Sequence, residues 1–353
     1  TTSETDPELR AAEELETILE TLPLEISEHA LLAGTQRDAF AASYALINPA
    51  FRVETFRGYC DPLEVYDFAT PTEELPAERI AQIRAAAAKS DYVKALNKVY
   101  GAYSEYTDEV AFFMEQVTGH HIPDFRPALK LGVSGLIEGI DAKLAGDSLS
   151  EKHRNNYKAM KRVLLAAVNL AKRYAQIAEA QMETASPERK KELELMVANL
   201  KQVPEFPAQT LMQAMQCFVL LWQIMCVEQA PNPFALSVGN ADRIFEPYRQ
   251  MSGESREEAA ALFKHFLVFY NVGERSWAIS QNVLISGRDN DGNDLTNPMT
   301  YAIMDAYYDM NLPQPILSVK LHKNTPEELY REMGRFFFTP LSSLQRHLPL
   351  QLL

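Results

Sequence analysis

The segment from Thr210 to Val227 constrains the fold more than any other part of the sequence, because it is apolar on nearly every side. A helix with apolar residues around its whole circumference is buried in the middle of a large protein or spans a membrane. This segment is shorter than the roughly 20 residues that cross a bilayer. The sequence therefore predicts a core helix with other elements packed around it.

The size and charge of the chain indicate a large globular protein without nucleic-acid or membrane partners. Its 353 residues can bury a sizeable core in one large domain or two. The 34 Lys and Arg against 48 Asp and Glu give a net charge of −14, whereas binding to nucleic acid or anionic lipid requires clustered basic residues. We expect a cytoplasmic location, because Thr1–Asp6 does not resemble a signal peptide and three cysteines are too few for a disulfide framework.

Helical periodicity dominates the first two thirds of the chain. Asp6 before Pro7 and Ser186 before Pro187 are typical helix starts. The sequence predicts helices at about 7–22, 76–117, 125–144, 150–183, 187–202 and 210–227.

Strand-like stretches come late, at Ala235–Val238, Gln281–Ser286 and Pro315–Leu321. Each is followed by a helical stretch, and these lie at about 242–252, 297–311 and 325–338. A strand-then-helix order is typical of parallel strands joined by crossover helices. We therefore predict a strongly helix-dominated α/β fold.

The loop Gly119–Asp124 joins two predicted helices and contains two histidines, a proline and a carboxylate. Histidine suits proton transfer or hydroxyl binding near neutral pH. A Gly/Pro helix stop with a structural histidine is the simpler interpretation of the loop taken alone. A metal site is disfavoured, because adjacent histidines rarely bind one ion and no ligand-spaced partner is present.

Two further motifs invite functional interpretations that their details oppose. The loop Gly287–Asp294 suggests calcium, but counting from Asp289 the positions that an EF-hand fills with Gly and Glu hold Asp294 and Thr300. We interpret it as a polar turn. Cys226 precedes Glu228 by two residues but lies on the all-apolar helix, where a buried thiol is inert.

Several stretches resemble the N-terminal half of the glycyl radical enzymes, the pyruvate formate-lyase-like superfamily. Gly119–Phe125 matches the family's Gly-His-x-x-x-Asp-Tyr loop, and Leu129–Gly132 matches the Leu-x-x-Gly that follows it. Val203–Thr210 is similar to a Val-Pro-x-x-Pro-Ala-x-Thr segment, and Ser237–Tyr248 is similar to a Ser-x-Gly-Arg-x-Asp…Pro-Tyr segment. Gln281–Asn297 resembles a Gly-Gly-x-x-x-x-Gly-x-Asp-x-Thr-Asn segment, and Pro313–His322 resembles a Pro-x-Pro-x-Leu-Ser-Val-Arg-x-His strand. The resemblance extends from about Leu22 to Pro340, with the stretches in the family's order.

The resemblance implies a ten-stranded α/β barrel made of two antiparallel half-barrels wrapped by helices. This chain would supply the helices and the first half-barrel. In the family, a radical on a C-terminal glycine passes to a cysteine in a Gly-Cys-Val-Glu loop, and an iron–sulfur radical-SAM activase installs it. Both radical residues are expected beyond this chain, so we predict no catalytic residue, bound cofactor or metal within it.

The matched positions imply candidate site residues. His120, Asp124, Phe234 and Ser237 are the substrate-binding candidates, and Asp242, Asn297 and His322 are structural residues of the motifs. Diol-dehydrating members carry His-Ser where this chain has Phe234 and Ala235, and Arg where it has Asn240. A glycerol-like diol is therefore disfavoured, and an aromatic wall for a quaternary amine or a ring substrate fits better.

The resemblance places a pyruvate formate-lyase-like domain at residues 1–340. After Pro340 the family continues with a Gly- and Ser-rich stretch that leads to Pro-x-Phe-Asn-Asp, whereas this chain has Leu341–His347. One choice of codons for that stretch is CTC AGC TCC CTT CAA CGA CAT, which read one base later gives Ser-Ala-Pro-Phe-Asn-Asp. We hypothesise a frameshift near codon 341, which would make residues 341–353 a non-native tail.

Three functions remain open from the sequence. The first is a fragment of a radical lyase or dehydratase that cleaves a C–X bond of a small molecule in anaerobic metabolism and is inactive by itself. The second is a formate C-acetyltransferase homologue, and the third is a non-catalytic scaffold or interaction protein. Expected partners of the parent enzyme are the activase and a second copy in a homodimer.

Overall fold

The computed structural model describes residues 6–34, 121–146, 148–228, 236–271, 281–311, 315–336 and 350–352, with single positions between 78 and 98. These ranges contain nine helices and four strands. In chain order they are α1 (Pro7–Thr21), α2 (Arg126–Leu144), α3 (Glu151–Gln181), α4 (Pro187–Gln202), α5 (Leu211–Glu228), β1 (Gly239–Asn240), α6 (Ala241–Ser252), α7 (Arg256–Asn271), β2 (Asn282–Ser286), α8 (Pro298–Met310), β3 (Ile316–Lys320), α9 (Glu327–Arg335) and β4 (Leu350–Leu352). The prediction of a helix-rich α/β fold is confirmed.

Helix α5 is the core helix that the apolar segment predicts. It packs against α2, α3, α4, α6 and α7. Phe218 lies at its centre, with its ring 4.4 Å from Phe125 and 5.3 Å from Phe266, centre to centre. Within the described residues, α5 is the one helix long and apolar enough to cross a membrane, and 72% of it is buried inside the protein.

The predicted helix starts are also present. Asp6 and Ser186 cap α1 and α4, since each side chain accepts a hydrogen bond from a main-chain N–H in the first turn. Helix α7 has no counterpart among the sequence predictions. The predicted helix at 76–117 lies outside the described residues except at single positions, so it stays a prediction.

The four strands form a parallel sheet in the order β1-β2-β3-β4. Helices α6 and α7 connect β1 to β2, and α8 connects β2 to β3, as the strand-then-helix order predicts. One face of the sheet is fully buried by Val283, Ile285, Leu317 and Val319. Asn282, Leu284 and Lys320, which point to the other face, are only partly buried.

The predicted first strand, Ala235–Val238, is wrong in position, because β1 occupies Gly239–Asn240 instead. Side chains satisfy the main chain of the preceding residues. The Tyr270 hydroxyl accepts from Val238 N at 3.0 Å and donates to Leu236 O at 2.9 Å, and Trp222 Nε1 donates to Leu236 O at 3.1 Å. These groups therefore do not pair with a neighbouring strand.

Helix α2 contains an interruption that its sequence pattern does not predict. Gly132 has φ +68° and ψ 169°, far from helical values. Val133 N and Ser134 N turn away from the helix and donate to Pro204 O at 2.8 Å and Glu205 O at 2.9 Å. The matched stretches Leu129–Gly132 and Val203–Thr210 are thus in direct contact.

The segment 23–34, which follows α1, is fixed by side chains from four helices. Three main-chain oxygens of the segment accept hydrogen bonds: Ile26 O from Gln181 Nε2, Ala30 O from Arg189 Nη1 and Ala33 O from Gln216 Nε2. Two main-chain N–H groups donate: Ala33 N to Gln216 Oε1 and Leu31 N to His265 Nε2. Each of these distances is 2.7–2.8 Å. The segment therefore follows α3, α4, α5 and α7 without regular structure of its own.

Candidate functional site

Two edges of the sheet hold the residues of interest. The amino edge is where β1 and β2 begin, together with Ser237 and Gln281 just before them, and the carboxyl edge is where β1, β2 and β3 end, at Asn240, Ser286 and Lys320. Along the five residues of β2 the edges lie about 13 Å apart, whereas β1 has two residues and Asn240 pairs with Leu284 in the middle of β2.

The loop that ends at Asp124 lies against the amino edge. His121 O accepts a hydrogen bond from Ser237 N at 2.8 Å. Ile122 packs on Gly239, which has φ +82°, and a Cβ at that glycine would lie 2.8 Å from Ile122 Cγ2. A glycine at this position allows the loop to approach the start of β1 closely.

Ser237 is 5% exposed, and its Oγ accepts from Asn282 N at 2.9 Å. This bond joins the approach to β1 to the first residue of β2. Ser237 thus has a structural contact, and its predicted role toward a substrate stays a prediction.

The Asp124 carboxylate faces a cation of its own chain. Arg126 Nε and Nη2 donate to its two oxygens at 2.7 and 3.0 Å, and about half of the side chain is exposed. The hydrogen bonds from Arg126 lower the pKa of Asp124, so the carboxylate is ionised at neutral pH. Its role in substrate binding also stays a prediction.

His120 and Phe234 lie outside the described residues. Their predicted roles in substrate binding therefore stay predictions.

The amino edge also carries amide side chains that the sequence analysis does not single out. Gln281 is fully buried, and among the described residues neither its Oε1 nor its Nε2 has a hydrogen-bond partner. The buried Oδ1 of Asn282 is likewise unpaired there. Unpaired buried polar atoms are rare and often mark binding sites. The only sequence signal for them is their place at the start of a matched stretch.

At the carboxyl edge, Asp242 is fully buried and binds three donors. Its Oδ2 accepts from Ser286 N at 2.6 Å and Thr300 Oγ1 at 2.7 Å, and its Oδ1 accepts from Arg243 N at 2.8 Å. Burial raises the pKa of Asp242 to about 6 despite these bonds. Asp242 lies in the first turn of α6 and joins β2 to α8.

His322 and Asn297 belong to the same edge. His322 Nε2 lies 2.9 Å from Asp294 Oδ1, which also accepts from Thr296 Oγ1 at 3.0 Å, and Thr296 Oγ1 is 2.9 Å from Ser286 Oγ. Asn297 caps α8 in a reciprocal pair of bonds with Thr300. The three predicted structural residues thus stabilise one network, apart from the amino edge.

The described cysteines and acidic loops offer no reactive or metal centre. Cys217 and Cys226 are fully buried in α5, and burial raises the pKa of Cys217 to about 12 and that of Cys226 well above its usual value. Among the described residues, no three His, Cys, Asp or Glu side chains group as metal ligands. In the loop Gly287–Asp294, Asp289 accepts bonds from Asp291 N and Asn293 N, as in a polar turn. Cys60 lies outside the described residues.

Comparison with known proteins decides the family. The family model described as pyruvate formate lyase-like matches residues 1–348. The chain belongs to the pyruvate formate lyase-like family. The resemblance carried by the motifs is therefore confirmed.

Members of this family resemble the chain over most of its described length. It is 28% identical to (2S)-3-sulfopropanediol dehydratase of Klebsiella oxytoca over 60% of this chain and 28% of that protein. It is 29% identical to isethionate sulfite-lyase of Desulfovibrio desulfuricans over 62% of this chain and 29% of that protein. A structure from work on 1,2-propanediol dehydration in Roseburia inulinivorans has a TM-score of 0.76 and 21% identity, covering 94% of this chain and 42% of that one.

The chain thus spans less than half the length of these pyruvate formate lyase-like relatives. The relatives are dehydratases and lyases of the glycyl radical enzyme family, which agrees with the branch that the loop Gly119–Phe125 predicts.

Proposed function

We propose that this chain is part of a glycyl radical lyase or dehydratase that cleaves a C–X bond of a small polar molecule. The observation that carries the proposal is the convergence at the amino edge. There a histidine-bearing loop, the approach to β1 and the start of β2 contact one another through Ser237. Buried amide atoms of Gln281 and Asn282 have no hydrogen-bond partner among the described residues. We also infer that β1, β2 and β3 belong to the first half of the family's barrel.

The residues of this chain bind and orient the substrate in this proposal. His120 contacts a substrate hydroxyl or transfers its proton, since imidazole titrates near neutral pH. Phe234 forms an apolar wall, and Asp124 and Ser237 are the other substrate-binding residues of the proposal. The parent enzyme is cytoplasmic and homodimeric, and a radical-SAM enzyme activates it.

In the complete enzyme, a glycyl radical supplies hydrogen-atom abstraction through a cysteine. The described cysteines do not fit that role, because Cys217 and Cys226 are fully buried among the apolar residues of the core helix. We therefore propose no catalytic step within the described residues and expect the 353-residue chain to be inactive alone. The relatives named above favour the dehydratase and lyase branch over formate C-acetyltransferase activity.

The first experiment is to sequence the encoding DNA through codon 341 and several hundred bases beyond. A shifted frame that encodes Gly-Cys-Val-Glu and a C-terminal radical glycine loop supports the proposal. A coding sequence that ends in frame at Leu353 without a nearby indel contradicts the frameshift. If neither motif follows in any frame, the chain is a scaffold rather than part of an enzyme.

The second experiment measures turnover of the complete protein. After anaerobic activation it is assayed with 1,2-propanediol, glycerol, trans-4-hydroxy-L-proline, isethionate and 3-sulfopropanediol. For whichever of these compounds the enzyme converts, His120→Ala should lower kcat/KM by about a hundredfold. His153→Ala changes an exposed residue of α3 and should leave kcat/KM unchanged. Equal kcat/KM for both variants would remove His120 from the site.

A further inference from the structure

Two basic side chains pack against Gly287 at the carboxyl edge. A Cβ placed on Gly287 would lie 2.9 Å from Arg243 Nη2, 3.2 Å from Lys320 Cβ and 3.4 Å from Lys320 Cδ. The three residues come from α6, the turn after β2 and the end of β3. Gly287 itself has φ +100°, a conformation that favours glycine, and its lack of a side chain lets Arg243 and Lys320 approach the same stretch of backbone.

Within the described residues, neither cation has a carboxylate partner. Arg243 Nη2 donates to the main-chain oxygen of Ser286 at 2.7 Å, and its buried Nε has no acceptor. Lys320 Nζ has a long contact of 3.5 Å with Asn240 Oδ1. By contrast, Arg249, Arg256 and Arg335 each bind a carboxylate.

Asp242 adjoins Arg243, and the Arg243 charge lowers the pKa of Asp242 against the larger effect of burial. The Asp242 oxygens, however, accept from Arg243 N, Ser286 N and Thr300 Oγ1 and not from the guanidinium. Two partly buried cations without a bonded anion are unfavourable, since each loses hydration that no counter-charge replaces. A bound anion would offset that loss and would accept the free Arg243 Nε–H.

We propose that Arg243 and Lys320, with the Asn240 amide, bind a small oxyanion group at the carboxyl edge. A guanidinium supplies a planar fork of donors and an ammonium a compact charge, and together they match a sulfate, sulfonate, phosphate or carboxylate group. The ends of parallel strands are a common place for such ligands. The proposal rests on these side chains alone and does not depend on radical chemistry.

The test is calorimetric titration of the 353-residue chain with sodium sulfate at low ionic strength, with sodium chloride of equal ionic strength as reference. Saturable binding with one site per chain is expected. Lys320→Met keeps the aliphatic stem that contacts Gly287 and should weaken sulfate binding about tenfold or more, because it removes a charged hydrogen bond. Lys320→Arg should retain binding.

The matched control is Lys323→Met, an exposed lysine three residues further along the chain, which should bind sulfate as the original does. Crystals soaked in selenate should show its anomalous signal between Arg243 and Lys320. The proposal is overturned if sulfate and chloride act alike, or if Lys320→Met and Lys323→Met lose affinity equally. It is also overturned if no selenate binds and, in a structure of the full-length protein, a carboxylate side chain from outside these 353 residues pairs with Arg243 and Lys320.

Discussion

The carboxylate of Asp242 shows how one buried side chain can join separate elements. It begins α6, yet it accepts hydrogen bonds from the end of β2 and from the first turn of α8, 44 and 58 residues further along the chain. The three bonds favour the ionised form, whereas complete burial favours the neutral form, and burial prevails. Its contribution to folding therefore depends on pH.

Asp242→Asn tests that dependence. Since the folded pKa of Asp242 is raised from 3.8 to about 6, its protonation stabilises the folded chain below pH 3.8, and this stabilisation is lost as the pH rises to 6. This difference in pKa corresponds to a loss of about 3 kcal/mol in the free energy of unfolding over that pH range. The unfolding free energy of the original minus that of Asp242→Asn, measured in urea, should fall between pH 4 and 6 and be constant above pH 7.

Asp289→Asn is the control with the opposite sign. Hydrogen bonds from Asn293 lower the pKa of Asp289, so its stabilising contribution is present above pH 3.8 and lost as the pH falls. The unfolding free energy of the original minus that of Asp289→Asn should therefore rise with pH across the acid range. A difference for Asp242→Asn that is flat or rises with pH would contradict the raised pKa.

Gly132 and Gly139 lie on the same helix, but replacing each by alanine should have opposite effects on stability. A Cβ on Gly132 would lie 2.5 Å from the Phe206 carbonyl carbon and 2.6 Å from Glu205 O, at a φ of +68°. Gly132→Ala should therefore lower the unfolding free energy by roughly 3 kcal/mol or prevent folding. At Gly139 no described atom lies within 4 Å, so Gly139→Ala should raise it by about 0.5–1 kcal/mol. Equal urea midpoints for the two variants would refute this account of the interruption.

At the scale of elements, a charge network joins the last three helices that pack together. Asp305 of α8 accepts from Arg256 Nη2 of α7 at 2.8 Å and from Arg335 Nη1 of α9 at 2.7 Å. The Arg335 guanidinium also lies 4.3 Å from the centre of the Tyr308 ring. Although burial opposes it, the two arginines lower the pKa of Asp305, so the carboxylate is charged at neutral pH.

Asp305→Ala should remove one of the two carboxylates that pair with Arg256 and Arg335, since Glu332 also contacts both. The loss of these charged hydrogen bonds should lower the unfolding free energy by roughly 2 kcal/mol. Asp309→Ala is the matched control, since Asp309 pairs with Lys264 one turn along α8 with about half of its side chain exposed. Its loss should cost less than about 1 kcal/mol. Thermal or urea unfolding at pH 7 checks both, and equal costs would show that the network adds nothing to a surface pair.

The segment 23–34 depends on a histidine in its neutral form. His265 Nε2 accepts from Leu31 N at 2.8 Å, which a protonated ring cannot do. Burial and the nearby Arg189 lower the pKa of His265 below 6.5, against an opposing effect of Glu192. The stabilisation is therefore present above pH 6.5 and is lost as the pH falls through the lowered pKa.

Amide hydrogen exchange should detect this loss. After correction for intrinsic rates, the amides of 26–34 should exchange faster as the pH falls from 7 to 5. His265→Gln keeps an acceptor without a titrating ring, so its protection should not change with pH. An identical pH response in both proteins would place the dependence elsewhere.

Local signals predict local elements well in this chain and fail where distant side chains intervene. Asp6 and Ser186 mark helix starts because a cap acts within one turn. The strand at Ala235–Val238 is misplaced because Tyr270, more than 30 residues later, binds the main chain there. The interruption at Gly132 likewise depends on Glu205 and Phe206, which its own helix pattern cannot reveal.

At the scale of the whole molecule, the matched stretches are contacts of one structure rather than separate motifs. The loop ending at Asp124 packs on Gly239, and Asp242 joins the stretch that begins at Ser237 to the one that begins at Gln281. The resemblance could predict that these stretches occur together. It could not predict their separation into an amino edge and a carboxyl edge, because that follows from strand direction and register.

The tail beyond Pro340 supplies a test of how far the native chain extends. Residues 350–352 lie beside β3 as an edge strand, with Leu350 opposite Leu317 and Leu352 opposite Val319, while residues 341–349 lie outside the described part. If the tail is non-native, as the frameshift hypothesis predicts, the remaining sheet was not built around it. Deleting residues 341–353 should then lower the unfolding free energy by less than about 1 kcal/mol, because a strand of three residues at the edge of a sheet is short.

The control for the deletion is Leu317→Ala, within β3 and fully buried, which should cost roughly 2–4 kcal/mol. Urea unfolding of the original, the deletion and Leu317→Ala at one pH gives all three values. A deletion that costs as much as Leu317→Ala would mean that residues 341–353 are an integral part of the sheet. The frameshift hypothesis would then fail at the level of the folded protein, before any DNA is sequenced.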